Sequence, residues 1–575
     1  MNKNEGWIKS ILIHLGLVLL ASVFFALSFP NPLFKHGFPL IAWFSLIPAL
    51  AVVARYSIPA CAAWGAIYGF TSYSLFNFWL SAFHPLAGII TSITYMIFLA
   101  IVFVFFKLAI VFFPKRGYLV QWLIFLTYEY LCTKGFLGYP YGVMGYSQWK
   151  MIPLIQIASI TGVWGISALV TFPSFYIAGV LNQNSSRQDA ENAKNAKEEK
   201  RIPQTMTWRP LRALRLSEKL LSLNFFDKMS ILCWLVVLIV SLVFGFVNMK
   251  DYSAYPKADI ALVQHNTDPW EATKAPHSWQ VTESYKRDLA NLIRLSDAAL
   301  ASEPKPQMIV WPETAFIPRI YWHYTYRDDP NTWPIVRDLL TYLFEQEIPF
   351  LIGNDDARRD SSINSDASAK HRVDYNAAMF FEDGLISAYY RKMHLVPFTE
   401  YFPYRKQFPW IYKWLENADT HFWEKGEEET IFEGPGFTFA SPICFEDAFG
   451  YISANFVRKG ADVLIGMTND AWSKSLTAQN QHLSMAVFRA IENNRPMVRS
   501  TTSGQTCAID PNGRVIAEAP PFTQVHLNVS VPLVKGETLY TRYTDYFAVF
   551  LAILTGIMFI FGTVYCTIRL KREPK

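Results

Sequence analysis

Three side chains with reactive heads each follow a short apolar run: Glu313 after Val310-Trp311-Pro312, Lys392 after Tyr389-Tyr390-Arg391, and Cys444 after Ser441-Pro442-Ile443. A thiol attacks a carbonyl only as its thiolate, so it needs a base, and the oxyanion that forms needs a donor. A glutamate can take the thiol proton. A fixed ammonium can stabilise the oxyanion and help keep the sulfur ionised. Taken singly, each residue reads more simply as a core thiol or a surface charge. Taken together at strand ends they read as a site, because the strand ends of one sheet converge in space.

The elements that must position them are legible as alternation. Phe437-Thr438-Phe439-Ala440 is an extended run and a helix is expected after Cys444, which puts the thiol at a strand-to-helix turn where helix N–H groups converge. Apolar runs at 260–263, 308–311 and 350–353 alternate with helical patterns near 280–302 and 333–346. Glu382-Asp383-Gly384 and Asp510-Pro511-Asn512-Gly513 are hairpin signals. An α/β domain with a mixed sheet sandwiched by helices is the expectation.

A chain of 575 residues that is 51% hydrophobic, 16% aromatic and only 17% charged is too apolar to be wholly soluble. Runs long enough to cross a bilayer, which takes roughly 17 to 25 helical residues, lie near 10–28, 38–54, 58–80, 88–113, 117–133, 152–181 and 229–248, with one more at 546–568. Basic residues set the orientation. Arg55, Lys115, Arg116, the stretch 182–228 and the tail Arg569, Lys571, Arg572 and Lys575 fall on one side, and Lys35, Lys134 and Lys150 on the other. The expected organisation is a bundle of about seven helices over 1–250, a domain over 251–540 outside the cytoplasm, and a helix with a basic cytoplasmic tail over 541–575. The polar stretch 185–201 reads as a solvated or fraying helical linker, and Asn184-Ser185-Ser186 as a chance sequon on the inner side. Within the spans, Lys107 and Glu129 are costly in lipid and call for a partner or a lipid head group. Six cysteines with no C-x-x-C pair argue against a zinc site or a disulfide framework.

The surrounding text is more specific. Trp311-Pro312-Glu313, Tyr390-Arg391-Lys392 with the run on to Pro403, Ile443-Cys444-Phe445-Glu446, Thr468-Asn469-Asp470-Ala471-Trp472, Gln481-His482-Leu483, the run Arg489 to Pro496 and Gly145-Tyr146-Ser147-Gln148 together resemble the apolipoprotein N-acyltransferase family. That family is the membrane-integrated branch of the carbon-nitrogen hydrolase (nitrilase) superfamily. The resemblance implies a four-layer α-β-β-α sandwich on about eight transmembrane helices. It implies Cys444 as nucleophile, Glu313 as general base and Lys392 as oxyanion-stabilising group, with Glu400, Glu446 and Phe445 in support. The implied reaction moves an acyl chain from a phospholipid, typically phosphatidylethanolamine, to the α-amine of the diacylglyceryl-cysteine that begins a bacterial lipoprotein. It implies no cofactor, no metal and no nucleic-acid partner, and a monomer in the bacterial inner membrane with its catalytic domain on the periplasmic side.

The sequence departs from the family pattern in places. Thr399 stands for a usual Gly, Phe445 for Tyr, Tyr141 for Trp, and Ser473-Lys474 for Phe-Gly. The first strand lacks the usual second Gln, so the pattern does not carry a lipid-gating role over to Trp270. None of these changes removes a proposed catalytic group. A membrane-anchored amidase using the same three residues, and a receptor or transporter with an outer binding domain, are the competing readings.

Overall fold

The computed structural model describes residues 3–83, 85–198, 225–268, 278–359, 372–402, 404–417 and 422–572. Trp270 and the stretch 199–224 of the basic loop lie outside them. Strands β1 (Lys257–Gln264), β2 (Met308–Val310), β3 (Phe350–Arg359), β4 (Arg372–Glu382) and β5 (Leu385–Arg391) join β12 (Val525–Pro532) in one sheet, ordered β12-β1-β2-β3-β4-β5. Strands β6 (Phe432–Glu433), β7 (Thr438–Ala440), β8 (Val463–Thr468), β9 (Met497–Thr501), β10 (Cys507–Ile509) and β11 (Val515–Glu518) form a second sheet, ordered β11-β10-β9-β8-β7-β6. In each the central trio is parallel, β1-β2-β3 and β7-β8-β9, and antiparallel strands flank it. The sheets are thus mixed, as the strand and helix alternation required.

Side-chain alternation assigns each face. In β1, Ile260 and Leu262 share a core with Val463, Ile465 and Met497 of the second sheet, while Ala261 and Val263 face a separate core with Leu292 and Leu339. Those last two come from helices Ser278–Leu300 and Trp333–Phe344. The first helix turns Leu289, Leu292, Leu295 and Ala299 inward, at the spacing an amphipathic helix needs. Each such leucine contributes about 1.5–3 kcal/mol on burial. The β4–β5 hairpin closes through Asp383 and Gly384, with φ of 51° and 73°. A two-residue hairpin turn of this hand needs positive φ at both positions, and Asp-Gly supplies it.

Among the described residues five helices are long and apolar enough to cross a membrane: Glu5–Ser28, Leu86–Phe112, Val163–Asn182, Phe225–Asn248 and Tyr546–Arg569. The expected span 58–80 is a helix of 19 residues, Ile58–Phe76, and 117–133 is one of 15, Gly117–Leu131. The stretch 38–54 is divided into Pro39–Ala42 and Ile47–Arg55. The stretch 152–181 starts as two single turns and becomes a long helix only after Gly162, whose φ of 64° interrupts the regular path. That helix runs on to Glu198, so the expected linker begins as its continuation. The two ionisable groups in the spans find internal partners. Lys107 Nζ donates to the carbonyls of Ala54 and Val53 at a helix end, and Glu129 Oε1 accepts the Met144 N–H at 2.7 Å.

The bundle and the second sheet share a single apolar core, from Val18 through Phe445 to Ala548. Helix Leu476–Asn493 is the element between them. It starts at Ser475, whose hydroxyl accepts the Ala478 N–H, and stops at Asn494 in the left-handed conformation. All of its side chains from Thr477 to Asn493 are buried.

Candidate active site

Each of the three proposed residues sits just past the end of a strand. Glu313 follows β2 and is 5% exposed, Lys392 follows β5 and is fully buried, and Cys444 follows β7 and is half-buried. Cys444 opens a short 3-10 helix, Cys444–Ala448, with φ of 51°. A left-handed conformation at a non-glycine residue costs on the order of 1–3 kcal/mol and persists only where neighbours hold it.

The carboxylate of Glu313 is oriented by three donors. Its Oε1 accepts from Asn376 Nδ2 at 2.8 Å and faces Lys392 Nζ at 3.4 Å, while Oε2 accepts the Asn469 N–H at 2.8 Å. The Lys392 ammonium is closer to Glu400, with Nζ 2.8 Å from Oε1. Glu400 Oε2 in turn accepts the Val396 N–H at 2.9 Å. A buried lysine between two carboxylates is a fixed cation. Burial works against its charge, but Glu400 and then Glu313 outweigh burial and hold Lys392 above its ordinary value. Burial also raises Glu400, with Lys392 opposing and Glu313 adding to the rise.

Burial pushes the Cys444 thiol well above its ordinary value, the charge of Glu313 adds to the effect, and Lys392 opposes it. Lys392 thus favours the ionised sulfur, while burial and Glu313 outweigh it.

Glu446 makes its hydrogen bonds to other groups than these three. It is fully buried and accepts from Tyr390 Oη at 2.8 Å, Met393 N at 2.8 Å and His394 N at 3.0 Å on Oε1, and from Ile443 N at 2.9 Å on Oε2. It braces the lysine-bearing segment against the nucleophile turn. Phe445 packs in an aromatic wall, 5.0 Å from Phe449, 5.8 Å from His394 and 6.4 Å from Tyr139 between ring centroids. Tyr139 stacks on Tyr141 at 4.8 Å, so the bundle supplies part of that wall.

The departures fall into place differently. Thr399 replaces a glycine without strain, because the positive φ of its turn belongs to Phe398, at 63°. Lys474 does occupy a left-handed position, with φ of 46°, and its ammonium reaches Asp268 at 3.1 Å. Of the aromatic run 410–423, Trp410 and Trp414 are exposed, whereas Tyr412 stacks on Phe422 and Trp423 is tied by its indole N–H to Asp355.

Sequence reasoning missed Asn376, a buried polar residue inside an apolar strand, which was itself the available signal. It also left His482 and Asp470 without roles, although both stand in the quoted motifs. His482 Nε2 lies 2.6 Å from Asp447 Oδ1 and 3.2 Å from the Cys444 carbonyl oxygen, and Nδ1 lies 3.1 Å from Asp470 Oδ1.

Residues 259–536 match the family described as Carbon-nitrogen hydrolase. Residues 21–176 match the Apolipoprotein N-acyltransferase N-terminal domain. The chain is 41% identical to Apolipoprotein N-acyltransferase 1 of Treponema denticola over 94% of its own length and 95% of that protein. It is 42% identical to Apolipoprotein N-acyltransferase 1 of Treponema pallidum over 99% of each, and 28% identical to Apolipoprotein N-acyltransferase of Geobacter metallireducens over 92% of each. The chain belongs to the apolipoprotein N-acyltransferase family, a membrane branch of the carbon-nitrogen hydrolase superfamily.

Proposed function

We infer that the protein is an acyltransferase that N-acylates lipoproteins, with a phospholipid as donor and a lipoprotein as acceptor. The observation that carries the mechanism is the Lys392 ammonium held 2.8 Å from Glu400 and 3.4 Å from Glu313, at strand ends of one sheet, with both charges felt by Cys444 past the end of β7 in the other. In the first step Glu313 takes the Cys444 proton as sulfur attacks the donor ester. Lys392 Nζ and a backbone N–H at the turn stabilise the tetrahedral oxyanion, and Glu313 returns the proton to the departing lysophospholipid. In the second step the acceptor amine attacks the thioester with Glu313 again as base. The amide leaves and the thiol is restored.

The finer assignments are phosphatidylethanolamine as donor, the diacylglyceryl-cysteine amine as acceptor, and a monomeric enzyme. The thioester must survive one lipid leaving and another arriving, so water must be kept away. The exposed Trp410 and Trp414 support an arm that enters the membrane face.

We place the protein in the inner membrane with eight spans, 1–250 and 541–575 forming the bundle and 251–540 a four-layer α-β-β-α domain on the periplasmic side. Two contacts support the orientation. Lys35 Nζ approaches Glu518 and the Lys250 backbone N–H donates to Asn512, so the lysine-poor end of the bundle is the one against the domain. Arg55, Arg116 and the basic tail lie at other helix ends, as cytoplasmic groups should.

The test is intact mass analysis after incubation with phosphatidylethanolamine and no acceptor. An acyl chain on Cys444 that hydroxylamine removes, and that Cys444→Ala never acquires, is expected. Release of free fatty acid without an adduct would replace this reading with a hydrolase.

A further inference from the structure

Behind the nucleophile lies a buried charge cluster that the mechanism above does not use. His482, from helix Leu476–Asn493, is 2% exposed and meets Asp447 of the 3-10 helix and Asp470 of the turn after β8. Arg499 of β9 reaches Asp447 at 3.5 Å and Asp470 at 3.6 Å, and its Nη2 lies 3.2 Å from His482 Nδ1. The Tyr141 ring, from the bundle, faces the imidazole at 6.3 Å. Two aspartates and one arginine leave a buried net negative charge unless the imidazole is protonated. Burial opposes that charge, but Asp447 and then Asp470 outweigh both burial and Arg499, so His482 is raised to about 9. His482 Nε2 faces the Cys444 carbonyl, 3.2 Å away, with Asp447 Oδ1 beside it at 2.6 Å, and Nδ1 lies between the Asp470 carboxylate and the Arg499 guanidinium.

The carbonyl in question belongs to the residue with φ of 51°. The peptide that joins Cys444 to Phe445 is planar and trans, so its C=O and N–H point in opposite directions. Fixing the carbonyl into the buried cluster sends the Phe445 N–H out of it, to the side where the thiol is half-exposed. We propose that His482 is a positioning residue: it locks the Cys444–Phe445 peptide so that the Phe445 N–H joins Lys392 as a donor to the acyl oxyanion. This role rests on the acyl-enzyme reading above.

The test uses the full-length protein in detergent with phosphatidylethanolamine, following the rate of thioester formation by intact mass. His482→Phe should lower the thermal midpoint, since it leaves two buried carboxylates against one arginine, and slow acylation by the folded protein at saturating lipid by about 10²–10³-fold, the usual cost of one oxyanion donor. The half-saturating lipid concentration should move less than about threefold, since ground-state binding is not involved. His482→Gln, which keeps one N–H, should recover at least about tenfold of the loss, as hydrogen bonding rather than bulk carries the effect. A folded His482→Phe that acylates normally, or that changes only the half-saturating concentration, overturns the role. If that variant does not fold, His482→Asn decides: its shorter side chain does not reach the Cys444 carbonyl, so acylation by the folded protein should fall at least about tenfold, and a normal rate overturns the role. Absence of any adduct on the wild type instead removes the acyl-enzyme reading, and this role with it.

Discussion

Tyr390 donates its hydroxyl to Glu446 Oε1 at 2.8 Å, and through that contact the strand that delivers Lys392 is fastened to the turn that delivers Cys444. The same oxygen accepts two backbone N–H groups, from Met393 and His394. Burial raises Glu446, while the bonds from Ile443 and His394 favour its charged form. Glu446→Gln replaces an all-acceptor group by one that must present N–H where donors already point. It is expected to cost about 1–3 kcal/mol of stability and at least about tenfold in acylation, since a small misplacement of reacting groups is costly. Tyr390→Phe removes one donor and should cost about 1 kcal/mol with acylation largely kept. Thermal unfolding and thioester mass kinetics check both, and a Glu446→Gln protein with wild-type stability would remove the bracing role.

Glu313 has opposed effects on the thiol. Its charge raises the Cys444 value, yet it is the proposed acceptor of the thiol proton. Glu313→Gln should therefore speed alkylation of Cys444 by iodoacetamide at pH 8 while acyl transfer falls by about 10²–10⁴-fold. Peptide-level mass spectrometry of the alkylated site, run beside the acylation assay, follows the two together. If both fall in parallel, Glu313 is acting through structure alone.

Lys392 cannot be exchanged for another cation. A planar guanidinium does not fit a fully buried site built for a compact ammonium, so Lys392→Arg should lose acylation by at least about 10²-fold. Near-normal activity would take Lys392 out of the mechanism.

Lys392→Met adds a pH signature. Glu400 already lies above its ordinary 4.5, and without the ammonium that opposes the rise it moves higher. A carboxyl whose folded value exceeds its unfolded one stabilises the fold below the unfolded value and loses that contribution as pH rises through the folded value. The thermal midpoint of Lys392→Met should thus be nearest to wild type at about pH 4 and fall away from it as pH increases. A constant offset across pH would contradict the proposed pairing.

The orientation is open to labelling of single cysteines in intact cells. An impermeant maleimide should reach Asp383→Cys at the tip of the β4–β5 hairpin and miss cysteines placed in 186–200. The reverse pattern would invert the protein.

What the sequence made legible was local. Val310, Arg391 and Ala440 each end a strand a few residues before a reactive group, and Asp383-Gly384 announces its own turn, because those signals lie within a few residues. Expected span 38–54 read as one apolar run, although a break between Ala42 and Ile47 divides it, since hydropathy does not register such a break. Glu446 looked like a neighbour of the nucleophile because it is two residues away. Three of its four partners, Tyr390, Met393 and His394, are more than fifty residues off, and only the tertiary fold supplies them. His482 was quoted within a motif but had no assignable role, for its partners come from three separate elements.

Helix Leu476–Asn493 carries one more consequence, in the order of the protein's making. Gln481, beside His482, accepts the Trp79 indole N–H at 3.0 Å and donates to the carbonyls of Pro30 and Phe76. Arg489 binds Tyr146, and Glu492 accepts the Val163 N–H. Synthesis runs from the N-terminus, so the helices through Asn248 are made more than two hundred residues before this helix emerges. The seat precedes its occupant. Cys444 thus gains its geometry only after the chain has reached the bilayer, and a second half released from the membrane would be born without the surface that seats this helix.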